Sequence, residues 1–285
     1  MRYGVVLFTS DRGIQPAAAA QAAEKAGFAS FYVPEHTHIP VRRTAAHPRT
    51  KGAELPDDRY LRTLDPWVSL SMAAAVTTRI RLGTAVALPV EHDPIALAKT
   101  IASLDHLSGG RLTLGVGFGW NTDELSDHGI PAGKRREALK EYLEAMQRLW
   151  SQDEASYHGE FVRFESSWAW PKTFSQPRPP TLLGAAGTER NFTWIARSAD
   201  GWLTTPGEDD IDGKISLLNQ QWQAAARDGA PQIAVLAGKP IPGELQNWHE
   251  RGVTDVLFGM PDGTEEEVIA YLERLATILD LAAQD

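Results

Sequence analysis

The chain has 285 residues, of which 42% are hydrophobic and 23% charged, and a formal net charge of -9. That composition suits a folded protein with a substantial core, and the acidic balance, with no basic run longer than Arg42-Arg43 or Lys134-Arg135-Arg136, excludes a nucleic-acid-binding surface built from clustered cations. Zero cysteines remove disulfides, thiolate metal sites and a cysteine nucleophile together, and no apolar run reaches the ~20 residues of a membrane span, so a cytoplasmic protein without membrane or nucleic-acid partners is expected.

In chain order, the first predicted strand is Tyr3 to Phe8, followed by a helix over Pro16 to Ala26 that Gly27 ends. A second strand, Ser30 to Val33, runs into residues 34–64, a stretch rich in His, Pro and Arg with no regular period. Next come a helix over Asp65 to Thr78, a strand over Ile80 to Leu88 and a helix over Ile95 to Leu107. Asp65-Pro66 and Asp93-Pro94 each place a capping carboxylate before a proline at the first helical position. A strand over Arg111 to Gly117 and a helix over Arg135 to Trp150 precede residues 155–180, where YHGEFVRF reads as a hairpin and WAWPKTFSQPRPP as an extended, proline-stiffened return.

The remaining strands are Thr181 to Ala185, Gly201 to Thr204, Gln232 to Ala237 and Thr254 to Phe258. Helices over Glu189 to Arg197, Ile211 to Arg227 and Thr264 to Leu279 complete the pattern, the last opened by a capping box of Thr264 and Glu267. Eight strands alternating with helices predict an α/β fold: a single (β/α)8 TIM barrel over 1–285, with an active-site loop insertion at 34–64 after strand 2 and a second insertion at 155–180 after helix 4.

The run LTLGVGFGWNTDEL (112–125) alternates Gly115, Gly117 and Gly119 and breaks at Trp120. A dinucleotide-binding loop needs its last glycine where Trp120 stands, so a phosphate loop is excluded. Alternate glycines instead clear one strand face for a flat ring or another backbone.

Five stretches in order resemble the luciferase-like monooxygenase superfamily, in particular its coenzyme F420-dependent branch. They are FYVPEH (31–36), the long run IRLGTAVALPVEHDPIALAKTIASLDHLSGGRLTLGVGFGWNTDEL (80–125), KRREALKEYLEAMQRLW (134–150), WAWPK before QPRPPTLLGAAG (168–187), and ADGWLTT (199–205). The resemblance implies a deazaflavin-dependent oxidoreductase that moves a hydride between cofactor and a small organic substrate, commonly as a homodimer. It places a non-prolyl cis peptide at Ala85-Val86, against which the ring packs, with Gly117 and Gly119 beside it. It aligns His36 with a catalytic histidine at the reactive centre, and imidazole suits proton transfer near neutral pH. Glu35 is the second catalytic candidate, as an orienting partner; His38 and His47 rank lower.

GAAG followed by Thr188 resembles the family's phosphate site, where Ala186, Gly187 and Thr188 would offer amides at a helix start, with Thr205 as a further contact. Arg135 and Arg136, in a family-like position, reach a cofactor tail or an anionic substrate, or form only an exposed pair at a helix start. Trp120 and Asp123 are expected in the substrate pocket, with Asp123 and Glu124 also read as charges favouring a helix start. Trp120 replaces the carboxylate proton donor of the family's sugar-phosphate dehydrogenases, and Glu208 stands where they carry a phosphate-binding lysine, so that substrate class is disfavoured. Trp168 and Trp170 serve either an apolar pocket or packing.

Two same-fold or same-ligand alternatives stay open: an FMN-dependent monooxygenase and a non-catalytic deazaflavin- or flavin-binding protein. A hydrolase built on paired carboxylates or zinc fails because the third to fifth strands end in Leu-Pro, Gly-Trp and Gly-Ala, and no metal site is expected.

Overall fold

The computed structural model describes residues 1–282. Among the described residues the strands are β1 (Arg2–Val6), β2 (Ser30–Val33), β3 (Arg81–Thr84), β4 (Leu112–Val116), β5 (Ala155–His158), β6 (Arg163–Ser167), β7 (Thr181–Gly184), β8 (Gly201–Leu203), β9 (Gln232–Ala237) and β10 (Asp255–Gly259). All but β5 and β6 form one closed parallel barrel in the order β1-β10-β9-β8-β7-β4-β3-β2. The predicted TIM barrel is therefore the observed architecture.

The helices are α1 (Pro16–Lys25), α2 (Pro66–Val76), α3 (Pro94–Leu107), α4 (Thr122–Asp127), α5 (Arg135–Ser151), α6 (Glu189–Ser198), α7 (Ile211–Ala224), α8 (Pro242–Glu250) and α9 (Glu265–Ile278). Local chemistry sets their starts: Asp65 and Asp93 accept from Val68 and Ala96 amides ahead of prolines, and Thr264 and Glu267 close the predicted capping box.

Two helices go beyond the predicted set. Asp123 and Glu124 do stand in the first turn of a helix, α4, but its six residues show no apolar period that would give its extent. In α8, PGELQNWHE buries only Leu245 and Trp248, too few points to define a helical stripe. Conversely, the strand expected over Ile80 to Leu88 is regular only to Thr84: a bulge at Ala85-Val86, whose peptide is cis, interrupts it, Ala87 bridges to Val116 of β4 again, and a short 3-10 turn follows at Pro89–Glu91.

Inside the barrel Tyr32, Leu182, Leu203, Ala234 and Leu257 form one buried cluster, and the partly buried Val6, Ala85, Val86 and Leu236 pack on it near the strands' carboxyl ends. A larger core lies between barrel and helices and holds Phe31, Leu82, Leu112, Trp150 and Phe192. Each such large side chain contributes about 1.5–3 kcal/mol by leaving water. Two fully buried indoles are satisfied: Trp150 donates to Ala98 O at 2.9 Å and Trp202 to Ala185 O at 2.8 Å.

The two insertions lie at opposite ends. Residues 34–64 leave β2 at the carboxyl end of the barrel, the end where such folds build their sites. Residues 155–180 follow α5, which runs back towards the other end, and carry the β5–β6 hairpin. Trp168 and Trp170 are 78% and 58% exposed there, so they do not line a pocket at the mouth.

Candidate active site

Three loops meet above the barrel: the one after β2 with Glu35, His36 and Thr37, the 3-10 turn after β3 with Glu91, and the start of α4 with Trp120, Asn121 and Glu124. The β2 exit is anchored to the β3 bulge, since the Glu35 amide donates to Val86 O at 3.1 Å. His36 thus leaves the barrel directly beside the cis peptide. Its side chain is 7% exposed, and its Nδ1 lies 2.9 Å from Glu124 Oε2.

Glu124 is the orienting group that Glu35 was expected to be. Its fully buried carboxylate also accepts from the amides of Thr37 at 2.9 Å and His38 at 3.4 Å, while the Asn121 side chain caps the turn that carries it. Burial works against its charge, but His36 and these amides outweigh it and hold its pKa below the usual carboxylate range. An ionised Glu124 accepts from Nδ1–H, which fixes the neutral tautomer of His36 and leaves Nε2 for other partners.

Glu35 does something else. It accepts from the Leu88 amide at 2.5 Å and pairs with His92 Nε2 at 2.7 Å, so it braces the chain just beyond the bulge. Burial opposes the charge of His92, yet Glu35 raises its pKa above the ordinary histidine value.

Beside Glu124 sits a second buried carboxyl. Thr37 Oγ1 donates to Glu91 Oε2 at 3.1 Å, and Glu91 Oε1 is buried without a partner among the described residues. Burial and the neighbouring Glu124 charge push Glu91 up to about 9, so it is protonated at neutral pH. Two carboxyls in adjacent positions therefore carry one negative charge between them.

An aromatic wall closes the other side. Trp120 lies edge-on to His36 and His47, with ring centroids at 5.7 and 4.7 Å, and Tyr60 packs against His36 at 5.4 Å. His47 Nε2 and the Tyr60 hydroxyl are 3.0 Å apart, and burial together with nearby cationic groups lowers the pKa of His47, keeping it neutral. Trp120 therefore sits against three rings of the 34–64 segment, those of His36, His47 and Tyr60. Tyr60 was missed, because nothing in DRYL marks it out in sequence.

Asp123 is a correction. Its carboxylate accepts from the amides of Thr44 and Ala45, each at 2.8 Å, so it pins the 34–64 loop to α4 and is not available to a substrate.

The glycine run is a second correction. A Cβ on Gly117 would lie 2.6 Å from Val86 Cγ2, and one on Gly184 would lie 2.2 Å from Val86 Cγ1. Val86 fills the cleared face of β4 and β7, so the glycines admit the β3 bulge rather than a ring. Gly119 has φ +73, where glycine is the unstrained choice, and allows the chain to turn from β4 towards Trp120.

Across the mouth, the GAAG turn leads into α6. Thr188 caps it, accepting from the Asn191 amide at 3.3 Å, and its own amide donates to Ala186 O. That amide is consequently spent, contrary to expectation. The Gly187 amide donates to Glu208 Oε1 at 3.2 Å, and Thr205 hydrogen-bonds the same carboxylate. Arg136 stacks on Phe118 at 4.2 Å and donates to Asn191, beside this turn, whereas Arg135 bonds Ala132 O. No group of three or more potential metal ligands occurs among the described residues.

A closed parallel barrel with a histidine-carboxylate pair beside a strand bulge at its carboxyl end is the class of site the fold defines, and comparison with known proteins gives the family. The sequence profile of the luciferase-like monooxygenases matches residues 7–276, and the chain belongs to that family. An uncharacterized protein of Mycobacterium tuberculosis is 68% identical over 98% of this chain and 99% of its own. An F420-dependent hydroxymycolic acid dehydrogenase of the same organism is 29% identical over 79% of this chain and 58% of its own. An FMNH(2)-dependent dimethylsulfone monooxygenase of Pseudomonas putida is also 29% identical, over 76% of this chain and 55% of its own.

Proposed function

We propose that this protein is a coenzyme F420-dependent oxidoreductase that moves a hydride between the deazaflavin and a small organic substrate. The observation that carries the reading is His36: it is fixed by Glu124 through Nδ1 and emerges beside the Ala85-Val86 bulge, at the carboxyl end of the barrel. The residues present fit such a cofactor. Ala85 and Val86 are only partly buried and offer an apolar seat for a flat ring, and the turn at Gly187, with Thr205 and Lys214, already holds a carboxylate, as an anionic tail would require.

When bound, the deazaflavin supplies a two-electron carrier whose reactive carbon gives or takes hydride. The chain's own part is to orient and to move a proton. His36 Nε2 donates to, or accepts from, the substrate oxygen or carbon as hydride moves; Glu124 stabilises the imidazolium. Trp120, Tyr60 and His47 form the wall that excludes water from that proton and shapes the space for substrate.

Titrating the intrinsic tryptophan fluorescence with each cofactor tests the choice. Quenching by the deazaflavin at micromolar concentration, with weaker binding of FMN, is the expected result. Tight FMN binding without deazaflavin binding overturns it in favour of the FMN-dependent monooxygenase, the reading that the Pseudomonas relative supports. Binding without turnover of any substrate in a panel of alcohols, ketones and activated alkenes would make it a carrier protein instead.

We also propose that the protein works as a homodimer through α2. Val68, Met72 and Val76, spaced four residues apart on one face of that helix, are 61%, 46% and 42% exposed. An apolar helical stripe left open to water is what a second copy covers. Light scattering should give twice the 31.2 kDa chain mass for the wild type and a monomer for Met72→Glu. A monomeric wild type would end the proposal.

A further inference from the structure

Glu91 ends the 3-10 turn after β3, is only 4% exposed, and plays no part in the proton transfer assigned to His36. It nevertheless lies beside the group that fixes that histidine. Glu91 Oε2 and Glu124 Oε1 face the same hydroxyl, that of Thr37, at 3.1 and 3.4 Å. Glu124 Oε2, the other oxygen of that carboxylate, is the one that holds His36 Nδ1.

The hydrogens at Thr37 do not suffice for two carboxylates. Its hydroxyl has one hydrogen and two lone pairs, and it is also approached by His38 Nδ1 at 3.1 Å and His128 Nε2 at 2.8 Å. Whatever the tautomers of those rings, at most one hydrogen reaches the two carboxyl oxygens. Glu124 Oε1 has the amides of Thr37 and His38 in addition, whereas Glu91 has no second donor, since its Oε1 is buried without a partner among the described residues. A proton on Glu91 removes the shortage and gives the acid a hydrogen to donate to Glu124.

The surroundings keep that proton in place. Glu35 from the β2 exit and Glu124 from α4 add negative charge, and the histidines that could offset it are engaged: His36 with Glu124, His92 with Glu35 and His38 with Asp127. Burial and the neighbouring histidines lower the pKa of His128, so it is neutral. From α5, packed on the same turn, Tyr142 lies near Asp93.

We propose that Glu91 is a positioning residue for His36: as a neutral acid it donates to Glu124, limits the site to one negative charge, and so holds Glu124 Oε2 on Nδ1. Ionised, Glu91 would repel Glu124, withdraw that donor and set two negative charges beside the imidazole. The proposal rests on the reading of His36 as the proton-transfer group only for its effect on rate.

The test is nitrogen-15 NMR of the His36 ring in the intact protein, assigned with His36→Ala, across neutral and alkaline pH. In the wild type the ring-nitrogen shifts should move as pH rises through about 9, where Glu91 ionises. Glu91→Gln, which keeps a donor and cannot ionise, should lack that movement. In single turnovers at neutral pH Glu91→Ala should be slower by about tenfold with the cofactor's Kd retained, the effect of losing one hydrogen bond to a charged group, and Glu91→Gln should recover most of the loss. The same alkaline movement in wild type and Glu91→Gln, or none in either, overturns the proposal and leaves Glu91 as packing of the turn; so does a Gln variant no faster than Ala. If Glu91→Ala does not fold, the comparison of wild type with Glu91→Gln decides alone. An alkaline movement that Glu91→Gln abolishes, together with normal turnover by His36→Ala, upholds the coupling and defeats the reading of His36 as the proton-transfer group.

Discussion

His36→Ala should slow the hydride-transfer step, followed by deazaflavin absorbance in single turnovers, by on the order of 10²–10⁴-fold, the range a positioned acid-base group contributes. The same variant should bind the cofactor with nearly wild-type affinity. His36 is one edge of an aromatic wall whose other members, Trp120, Tyr60 and His47, keep their own contacts when it is removed. The loss should therefore fall on kcat and not on the cofactor's Kd. A variant within threefold of wild type would move proton transfer to another group.

Glu124→Gln is expected to have the next largest effect, because it reverses the hydrogen bond that defines His36. The carboxylate accepts from Nδ1–H; an amide turned to donate into Nδ1 shifts the proton to Nε2 and withdraws the charge that stabilises an imidazolium. Turnover should fall by on the order of 10²–10³-fold. Folding should lose about 1–3 kcal/mol, since the amides of Thr37 and His38 keep only one neutral acceptor at a fully buried position.

The pH dependence of that stability loss has a definite sign. The folded pKa of Glu124 lies below its unfolded value, so its contribution is present above the ordinary carboxylate range and disappears as pH falls through the depressed value. Melting curves of wild type and Glu124→Gln should thus be furthest apart near neutrality and converge in acid. Glu91 acts in the opposite sense: raised to about 9, its contribution is complete below the ordinary carboxylate range and lost as pH rises towards that value. Removing the Glu124 charge lets Glu91 ionise at lower pH, which narrows the gap on the alkaline side. A gap independent of pH from 4 to 8 would mean that Glu124 is uncharged in the folded protein.

Much of the barrel could be read from the chain, and what escaped has identifiable causes. β2 and β9 have the predicted bounds because SFYV and QIAVLA are continuous apolar runs between turn residues. β3 was read four residues too long at its carboxyl end because AVAL has the composition of a strand, whereas Val86 bulges into the space that Gly117 and Gly184 leave. Sequence singled out His36 and Trp120 as candidates, and the structure sets their rings 5.7 Å apart. Glu124 takes the role expected of Glu35: adjacency in PEH suggested Glu35 as the partner of His36, but successive residues leaving a strand point to opposite sides, and the partner comes from 88 positions away. Asp123 and Glu124 carry the same charge at the same helix start, yet one binds a loop and the other the histidine.

The sequence by itself determined the alternation of strands and helices, the capped helix starts, the family, and a histidine at the end of the second strand, because each is written in local residue types and spacing. Tertiary structure alone decided that Val86 occupies the space cleared by Gly117 and Gly184, that Glu91 keeps its proton beside Glu124, and that Glu208 sits among anion donors. Those outcomes depend on which side chains from distant loops share a dry volume, where burial and a neighbouring charge outweigh the intrinsic chemistry of each residue.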